Sequence, residues 1–165
     1  MRAPHREARA AQVRSVGVEV SAPLAISPRP RFEAAVALLL AARLPTEDLT
    51  ADHCESFFYS GKPDAPTGMV GLEIFGDVAL LRSLVVAAER RGHGEGAALL
   101  DHAEAFARAQ GVRTLYLLTT TAEAFFLKHG YVRASRASAP AAIRATREFA
   151  GLCPASSAFM TRPLT

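Results

Sequence analysis

Tryptophan is absent from this 165-residue sequence, cysteine occurs twice, and aromatic residues make up only 7% of it. Two thiols far apart in the chain, Cys54 and Cys153, cannot form the multi-bridge framework of small secreted domains, nor do they show the paired spacing of a zinc site. The histidines (His5, His53, His93, His102, His129) include no pair at helical ligand spacing, so no metal is expected. Free thiols fit a reducing cytoplasm, the expected location. Long apolar runs are missing too. The longest candidate, Ala34 to Ala42, ends at Arg43 and falls short of the ~18 residues a membrane span needs. No membrane association is expected.

A basic body is the next absence. The net charge is +3, but residues 1–14 carry Arg2, Arg6, Arg9 and Arg14 against Glu7 alone, and this accounts for the whole excess. The remainder is neutral and lacks the basic footprint that duplex phosphates require, so no nucleic-acid partner is expected. Residues 1–12 read as a flexible basic tail, and residues 13–165 as one domain large enough for a real core, with half of all residues apolar.

Residues 13–26 alternate loosely and read as a first strand, broken by Ser27-Pro28-Arg29-Pro30. Phe32 to Arg43 reads as a helix stopped by Pro45. A strand at 57–60 leads into Gly61 to Gly68, whose prolines and glycines suggest a loop. Met69–Phe75 and Val78–Val86 are apolar runs joined by Gly76-Asp77, a hairpin signal. Helical spacing of Leu99, Leu100, Ala103, Phe106 and Ala107 predicts a helix over 95–110, closed by Gly111. A strand at 113–119, a short helix at 122–128, a strand from Tyr131 to Ser135, a helical excursion at 139–149 and a strand at 157–162 complete the chain. This order predicts a mixed α+β class with a largely antiparallel sheet.

The segment Leu84-Val85-Val86-Ala87-Ala88-Glu89-Arg90-Arg91-Gly92-His93-Gly94-Glu95-Gly96-Ala97 runs from a strand through glycines at alternate positions into a helix. Glycine permits tight turns and close approach to a ligand. The amides of a first helical turn have no intrahelical partner and lie at the positive end of the helix dipole, so they suit a phosphate or pyrophosphate. Arg90 and Arg91 add positive charge. Gly92-x-Gly94-x-x-Ala97 also meets the dinucleotide fingerprint, but that pattern belongs to the first turn of a parallel βαβ unit, and here the preceding strand is a hairpin partner. No P-loop Lys-Ser/Thr pair follows.

Arg91-x-x-Gly94-x-Gly96 after Leu84-Val85-Val86 resembles the acetyl-CoA signature of the GNAT family of N-acetyltransferases, and Ala122-x-x-x-Phe126-x-Lys128-x-Gly130-Tyr131 resembles a second segment of that family. The resemblance implies an α+β fold with a central sheet of about six to seven strands flanked by helices, splayed in a V between two central strands. It implies acetyl-CoA as cosubstrate, with Leu84, Val85, Val86, Arg91, Gly92, His93, Gly94, Glu95, Gly96, Phe126 and Lys128 around it. It further implies direct attack by an amine in a ternary complex. Two positions depart from the family. Phe126 stands where a proton-donating tyrosine is frequent, and phenylalanine cannot donate. Tyr116 or Tyr131 could substitute, although Tyr131 reads as core. Thr119 and Thr120 stand near a frequent asparagine and could contact cofactor, while the same threonine run could cap a helix.

Period-2 alternation puts Gly71, Glu73 and Phe75 on one sheet face, so Glu73 is the candidate base with a raised pKa if that face is the cleft. Arg82 could bind an anionic substrate or pair with Glu73 across the hairpin. His53 and Glu55 are candidate acceptor-pocket residues. Further details, among them Leu80-Leu81-Arg82-Ser83-Leu84 and Thr146-x-Glu148-Phe149-x-x-Leu152-Cys153-Pro154, resemble a bacterial GNAT subgroup encoded with arsenic-resistance genes. That resemblance implies a small amine-bearing acceptor, including amino-acid-like arsenicals. A peptide acceptor and a non-catalytic CoA sensor remain alternative readings, and a homodimer, frequent in the family, is a further expectation.

Overall fold

The structure, a computed structural model, describes residues 24–165. The expected tail at 1–12 and nearly all of the expected strand at 13–26 lie outside the described residues. The first described strand, β1 (Ile26–Pro28), runs through Ser27 and Pro28 rather than ending before them. Among the described residues it is an edge strand paired only with β2 (Phe57–Lys62), the kind of position that tolerates proline.

Helix α1 (Phe32–Ala41) ends in a Schellman turn, in which the amide of Leu44 bonds to the carbonyl of Leu39 and that of Arg43 to Leu40. A 3₁₀ turn, Ala51–Ser56, leads into β2. The expected loop at 61–68 is instead strand. β3 (Ala65–Phe75) begins at once after a turn at Pro63-Asp64, with a register shift at Ser60/Gly61. Gly61 has φ +86 and Pro66 sits opposite it, where the irregular ladder does not demand an amide from proline.

β4 (Val78–Val86) returns along β3 as the Gly76-Asp77 signal predicted. Its regular pairing is broken once. Met69 pairs with Val85 and Gly71 with Arg82, so β4 carries one extra residue, and Ser83 there takes φ +57. Such a bulge re-aims side chains. Helix α2 (Glu95–Ala109), β5 (Thr114–Thr119), α3 (Glu123–Lys128), the two-residue β6 (Val132–Arg133), α4 (Ala141–Arg144), a π turn at Glu148–Leu152 and β7 (Ala158–Pro163) follow. The expected 139–149 helix is therefore broken. Its cause is local: Thr146 Oγ1 donates to the carbonyl of Ile143 at 2.7 Å and accepts from the amide of Phe149 at 3.3 Å, diverting the backbone.

The seven strands form one sheet in the order β1-β2-β3-β4-β5-β7-β6, antiparallel except between β4 and β5. The α+β class and mainly antiparallel sheet expected from the sequence are both present. On one face, Leu99, Leu100 and Ala103 of α2 and Phe126 of α3 pack on Val70, Leu72, Leu81 and Leu117. On the other, Ala35 and Leu39 of α1 cover Phe57, Met69 and Val85, and Ile143 of α4 covers Leu80 and Phe159. Among the described residues, no helix is long and apolar enough to cross a membrane.

The β4–β5 pairing is short. It joins Val78, Ala79 and Leu80 to Thr114, Leu115 and Tyr116 and then stops. Beyond Leu80, β4 turns away toward β3, while Leu117, Leu118 and Thr119 pair only with β7. The expected V is this divergence.

Packing at the hairpin leaves no slack at Gly71, where an added Cβ would lie 2.2 Å from the ring of Phe57, a fully buried side chain. Gly71→Ala should therefore lower stability by about 1–3 kcal/mol, the usual range for overpacking, whereas Gly151→Ala, with open space around it, should change it little. Equal melting temperatures for the two variants would refute this account of the hairpin core.

Candidate active site

The V between β4 and β5 opens into a cavity of about 350 Å³. Leu81, Arg82, Ser83 and Leu84 form one wall and Leu117 to Ala122 the other, with Phe126 from α3 between them. The mouth is built from two segments beyond the sheet, Arg43-Leu44-Pro45 after α1 and Glu148, Leu152, Cys153 and Pro154 around the π turn. Arg43 and Ser83, on opposite sides, are two of three described non-glycine residues with positive φ. Such conformations cost free energy that the surrounding structure must offset.

At the end of β4 the glycine segment has the shape the sequence implied. Gly92 has φ +82 and Gly94, the N-cap of α2, has φ +78. A Cβ at either position would meet nothing within 4 Å, so the backbone there is open to a ligand. Ala98 bonds back to the carbonyl of Gly94, leaving the preceding first-turn amides at the open helix end. Gly96 faces Val86 and Phe125. Arg91 Nε donates to the carbonyl of Val86 at 3.0 Å, which ties the loop to the strand, and His93 Nδ1 lies 3.2 Å from the carbonyl of Arg90.

The side chain of Glu95 belongs to the fold, not to the loop. It turns away from the loop into the sheet, where it accepts hydrogen bonds from Ser60 Oγ at 2.6 Å, from Thr67 Oγ1 and from Arg90 Nε at 3.2 Å. Burial works to raise its pKa, but these bonds and the Arg90 charge outweigh it and hold the carboxyl below its ordinary value. Only its backbone amide remains available to an anion. Leu84 lines the cavity, while Val85 points the other way into the α1 core because the bulge shifts its phase.

Lys128 is exposed and is not among the cavity walls, a correction: it occupies the last turn of α3. Tyr131 is core. Its hydroxyl donates to Glu104 at 3.0 Å, and burial together with the Glu104 charge drives its pKa above the ordinary phenol value. Tyr116 stacks on Phe159 and does not line the cavity. Thr119 and Thr120 both line it, and Thr119 Oγ1 also accepts from the amide of Ala122 at 3.0 Å, which closes the turn into α3.

The sequence-predicted acceptor residues separate. Glu55 faces solvent and pairs with Arg29 at 3.0 Å, so it lies outside the cavity because the 3₁₀ turn points it outward. His53 and Glu73 line a second cavity of about 250 Å³ with Asp48, Phe75, Thr146 and Arg147. Glu73 is thus not in the wall of the V, which corrects its expected place. It meets His53 Nε2 at 3.4 Å and Arg82 Nη1 at 3.3 Å, the pairing anticipated across the hairpin.

Arg82 is the partition between the two cavities. Its side chain is fully buried and meets three carboxylates: Asp48 through both Nη atoms, Glu73, and Glu148 through Nη2 at 3.2 Å. Burial favours its neutral form, but the three acids more than compensate and raise its pKa further. Burial would likewise raise the Asp48 carboxyl, yet the hydrogen bond and charge of Arg82 prevail and lower it. Glu148 goes the other way. Desolvation pushes it up to about 7, with Asp48 and Glu73 adding repulsion and Arg82 only partly opposing. Asp48, His53 and Glu73 bring potential ligand atoms within 4.8 Å of one another. A cation there would lie against the guanidinium that both carboxylates share, so this donor set suits Arg82 rather than a metal ion.

Asp48 and Glu148 were not identified from the sequence. Glu148 entered the sequence reading only within the subgroup-like stretch Thr146 to Pro154, with no role attached, and Asp48 carried no signal. Cys153 lines the cavity mouth and its thiol is pushed up to about 11 by burial and then by the nearby Glu148 charge, whereas Cys54 is buried in the 3₁₀ turn; both thiols are free.

The raised Glu148 carboxyl has a stability consequence. Because the folded chain holds this proton more tightly than the unfolded chain, stability from this group is full below its ordinary 4.5 and is lost as pH rises toward 7. The loss is on the order of 3 kcal/mol at ~1.4 kcal/mol per pKa unit. Glu148→Gln should flatten the fall in melting temperature between about pH 5 and 7. An identical slope in the variant would show that Glu148 does not titrate there.

Comparison with known proteins agrees with this geometry. The acetyltransferase (GNAT) domain family matches residues 53–133. The amino-acid acetyltransferase of Ralstonia nicotianae is 47% identical over 58 residues, covering 35% of this chain and 13% of that protein. N-acetylglutamate synthase from Neisseria gonorrhoeae, solved with coenzyme A and N-acetyl-glutamate, superposes with a TM-score of 0.75 at 22% identity, over 87% of this chain and 36% of that one. Rv2747 from Mycobacterium tuberculosis, solved in complex with CoA, gives 0.68 at 20% identity over 86% of this chain and 99% of that one. The chain therefore spans only a minor part of the synthase and of the curated relative, and its residues 53–133, from within the 3₁₀ turn to β6, are the part that matches the acetyltransferase (GNAT) domain.

Proposed function

We propose that this protein transfers the acetyl group of acetyl-CoA to the amine of a small molecule, with the reaction centred in the V between β4 and β5. The observation that carries this reading is the junction of two features: the parallel pairing that stops at Leu80 and Tyr116, and the open glycine turn that follows the diverging end of β4. The first leaves unpaired strand edge for an extended cosubstrate arm. The second offers first-turn amides and Arg90 or Arg91 for its phosphates. The residues present fit acetyl-CoA, which supplies an activated acyl group when bound.

The chain's own residues supply the rest. Leu84 and Leu117 make the centre of the V apolar, and Phe126 closes it behind, so water is excluded from the acyl group. No tyrosine lines this cavity, so the leaving sulfur has no phenolic acid from this chain. Thr119 and Thr120 are the hydroxyl groups on the β5 side. A walled cavity of about 350 Å³ suits a small acceptor better than a peptide laid along an open groove.

An amino acid or an analogue is the favoured acceptor. Carboxylates around Arg82 complement an ammonium, and Arg43 at the mouth could hold a carboxylate. The relatives named for amino-acid acetylation support this class. Amino-acid-like arsenicals, implied by the resemblance to the arsenic-linked subgroup, belong in the same acceptor panel. Action in the cytoplasm and pairing into a homodimer complete the reading, and sedimentation would decide the second.

Acetyl-CoA binding by calorimetry tests the site directly. Gly94→Asp should weaken it by about 100-fold or more, about 2.7 kcal/mol, by placing negative charge at the helix end. Gly94→Asn, which tolerates the left-handed backbone almost as well, should lose much less. Equal losses would mean strain rather than phosphate repulsion, and no loss in either would remove the loop from the cosubstrate site.

A further inference from the structure

We infer that Glu148, rather than Glu73, is the carboxylate that takes the proton from the incoming ammonium. The inference rests on the acetyl-transfer reading above and adds to it the residue that prepares the acceptor.

The argument begins with charge. One guanidinium, Arg82, faces three carboxylates. Asp48 engages it through both Nη atoms and takes most of its donor capacity. Glu73 shares Arg82 Nη1 and has a second partner in His53. Glu148 has a single ion contact, Arg82 Nη2 at 3.2 Å, and is the only one of the three acids in the wall of the V. The cluster carries more negative than positive charge, and the surplus faces the cavity through Glu148. A cationic amine is the complement of that surplus.

Geometry gives the same answer. Glu148 is 5% exposed and is held over the cavity by the π turn, while the carbonyl of the same residue accepts from the amide of Cys153 at 3.1 Å and secures the loop. Around it stand Arg82 from β4, Asp48 from the loop after α1, Glu73 from β3 and Cys153 from its own loop. Of these Arg82 is a permanent cation, Asp48 stays ionised, and the Cys153 thiol stays protonated at neutral pH. Beyond Glu73 lies His53, at 3.4 Å, and Glu148 is the acid of the cavity wall whose carboxyl is raised to about 7. A base with its affinity matched to the working pH is the efficient one. The residue lies outside the segment matched by the family, 53–133.

The step balances as follows. The Glu148 carboxylate accepts one proton from the ammonium, and the freed nitrogen lone pair forms the new carbon–nitrogen bond to the acyl carbon. The carbon–sulfur bond breaks with its electron pair on sulfur. The second nitrogen proton neutralises that sulfur, giving amide and free thiol, and Glu148 returns its proton to water at the cavity mouth.

The test uses the full chain, saturating acetyl-CoA, and the proteinogenic L-amino acids and simple primary amines as acceptor probes, with thiol release as the readout. Wild-type kcat/KM should rise through an apparent pKa near 7. Glu148→Gln should lose that limb and about 100-fold or more in kcat, while keeping acetyl-CoA affinity by calorimetry. Glu148→Asp should restore part of the rate and the limb. Glu73→Gln should keep the limb even if its rate falls. Retention of the limb in Glu148→Gln, or its loss in Glu73→Gln alone, overturns the inference. Absence of thiol release from every probe, with acetyl-CoA still bound, overturns it along with the transfer reading; absence of acetyl-CoA binding in the wild type overturns the cosubstrate site and, with it, both.

Discussion

A buried arginine organises the centre of this molecule. Arg82 enters the sheet interior from β4 and is met there by Asp48, Glu73 and Glu148, which come from three separate parts of the chain. Taking such a charge out of water costs several kcal/mol, and the cost is tolerable only when geometry and hydrogen bonding are nearly complete. Two-atom pairing with Asp48 meets that requirement. It also pulls the loop after α1 onto the sheet, and Glu148 does the same for the π turn. Those two segments form the cavity mouth. The cavity and the ion cluster are thus one construction.

The bulge at Ser83 is its counterpart in the backbone. A regular β4 would keep one alternation from Val78 to Val86 and continue to pair along its length. Arg82 keeps the phase of Leu80, and the extra residue after it sets Leu84 toward the V and returns Val85 to the α1 core. With β5 committed to β7 beyond Tyr116, the two strands have no reason to rejoin. The gap follows from pairing preferences rather than from a missing side chain.

Much of this was legible in the sequence wherever the cause is local. The hairpin at 69–86 declared itself through two apolar runs and a turn dipeptide, and α2 through its spacing and Gly111. The glycine turn was readable because glycine accepts φ +82 and φ +78 at alternate positions at the least steric cost. Long-range causes were hidden. Nothing near Asp48 tells that its partner is 34 positions away, and Ser83 has no side-chain feature that announces a left-handed backbone. Glu73 was a candidate base only if its face were the cleft; it lines the smaller cavity and not the V. The loop expected at 61–68 failed for a different reason. Prolines and glycines signal irregular pairing as readily as its absence, and here the strand simply carries a register shift.

The anchoring of Glu95 separates the molecule into two halves with different freedoms. Ser60 and Thr67 hold the head of α2 to the β2–β3 hairpin through that one carboxylate, so the glycine turn takes its bearing from strands that contribute nothing to the cavity mouth. The mouth, in turn, is drawn from 43–45 and 148–154, both outside the family segment. Sequence drift at the mouth can reshape what enters without disturbing the turn at the head of α2. A chain built this way can exchange one clientele for another while its common currency stays in place.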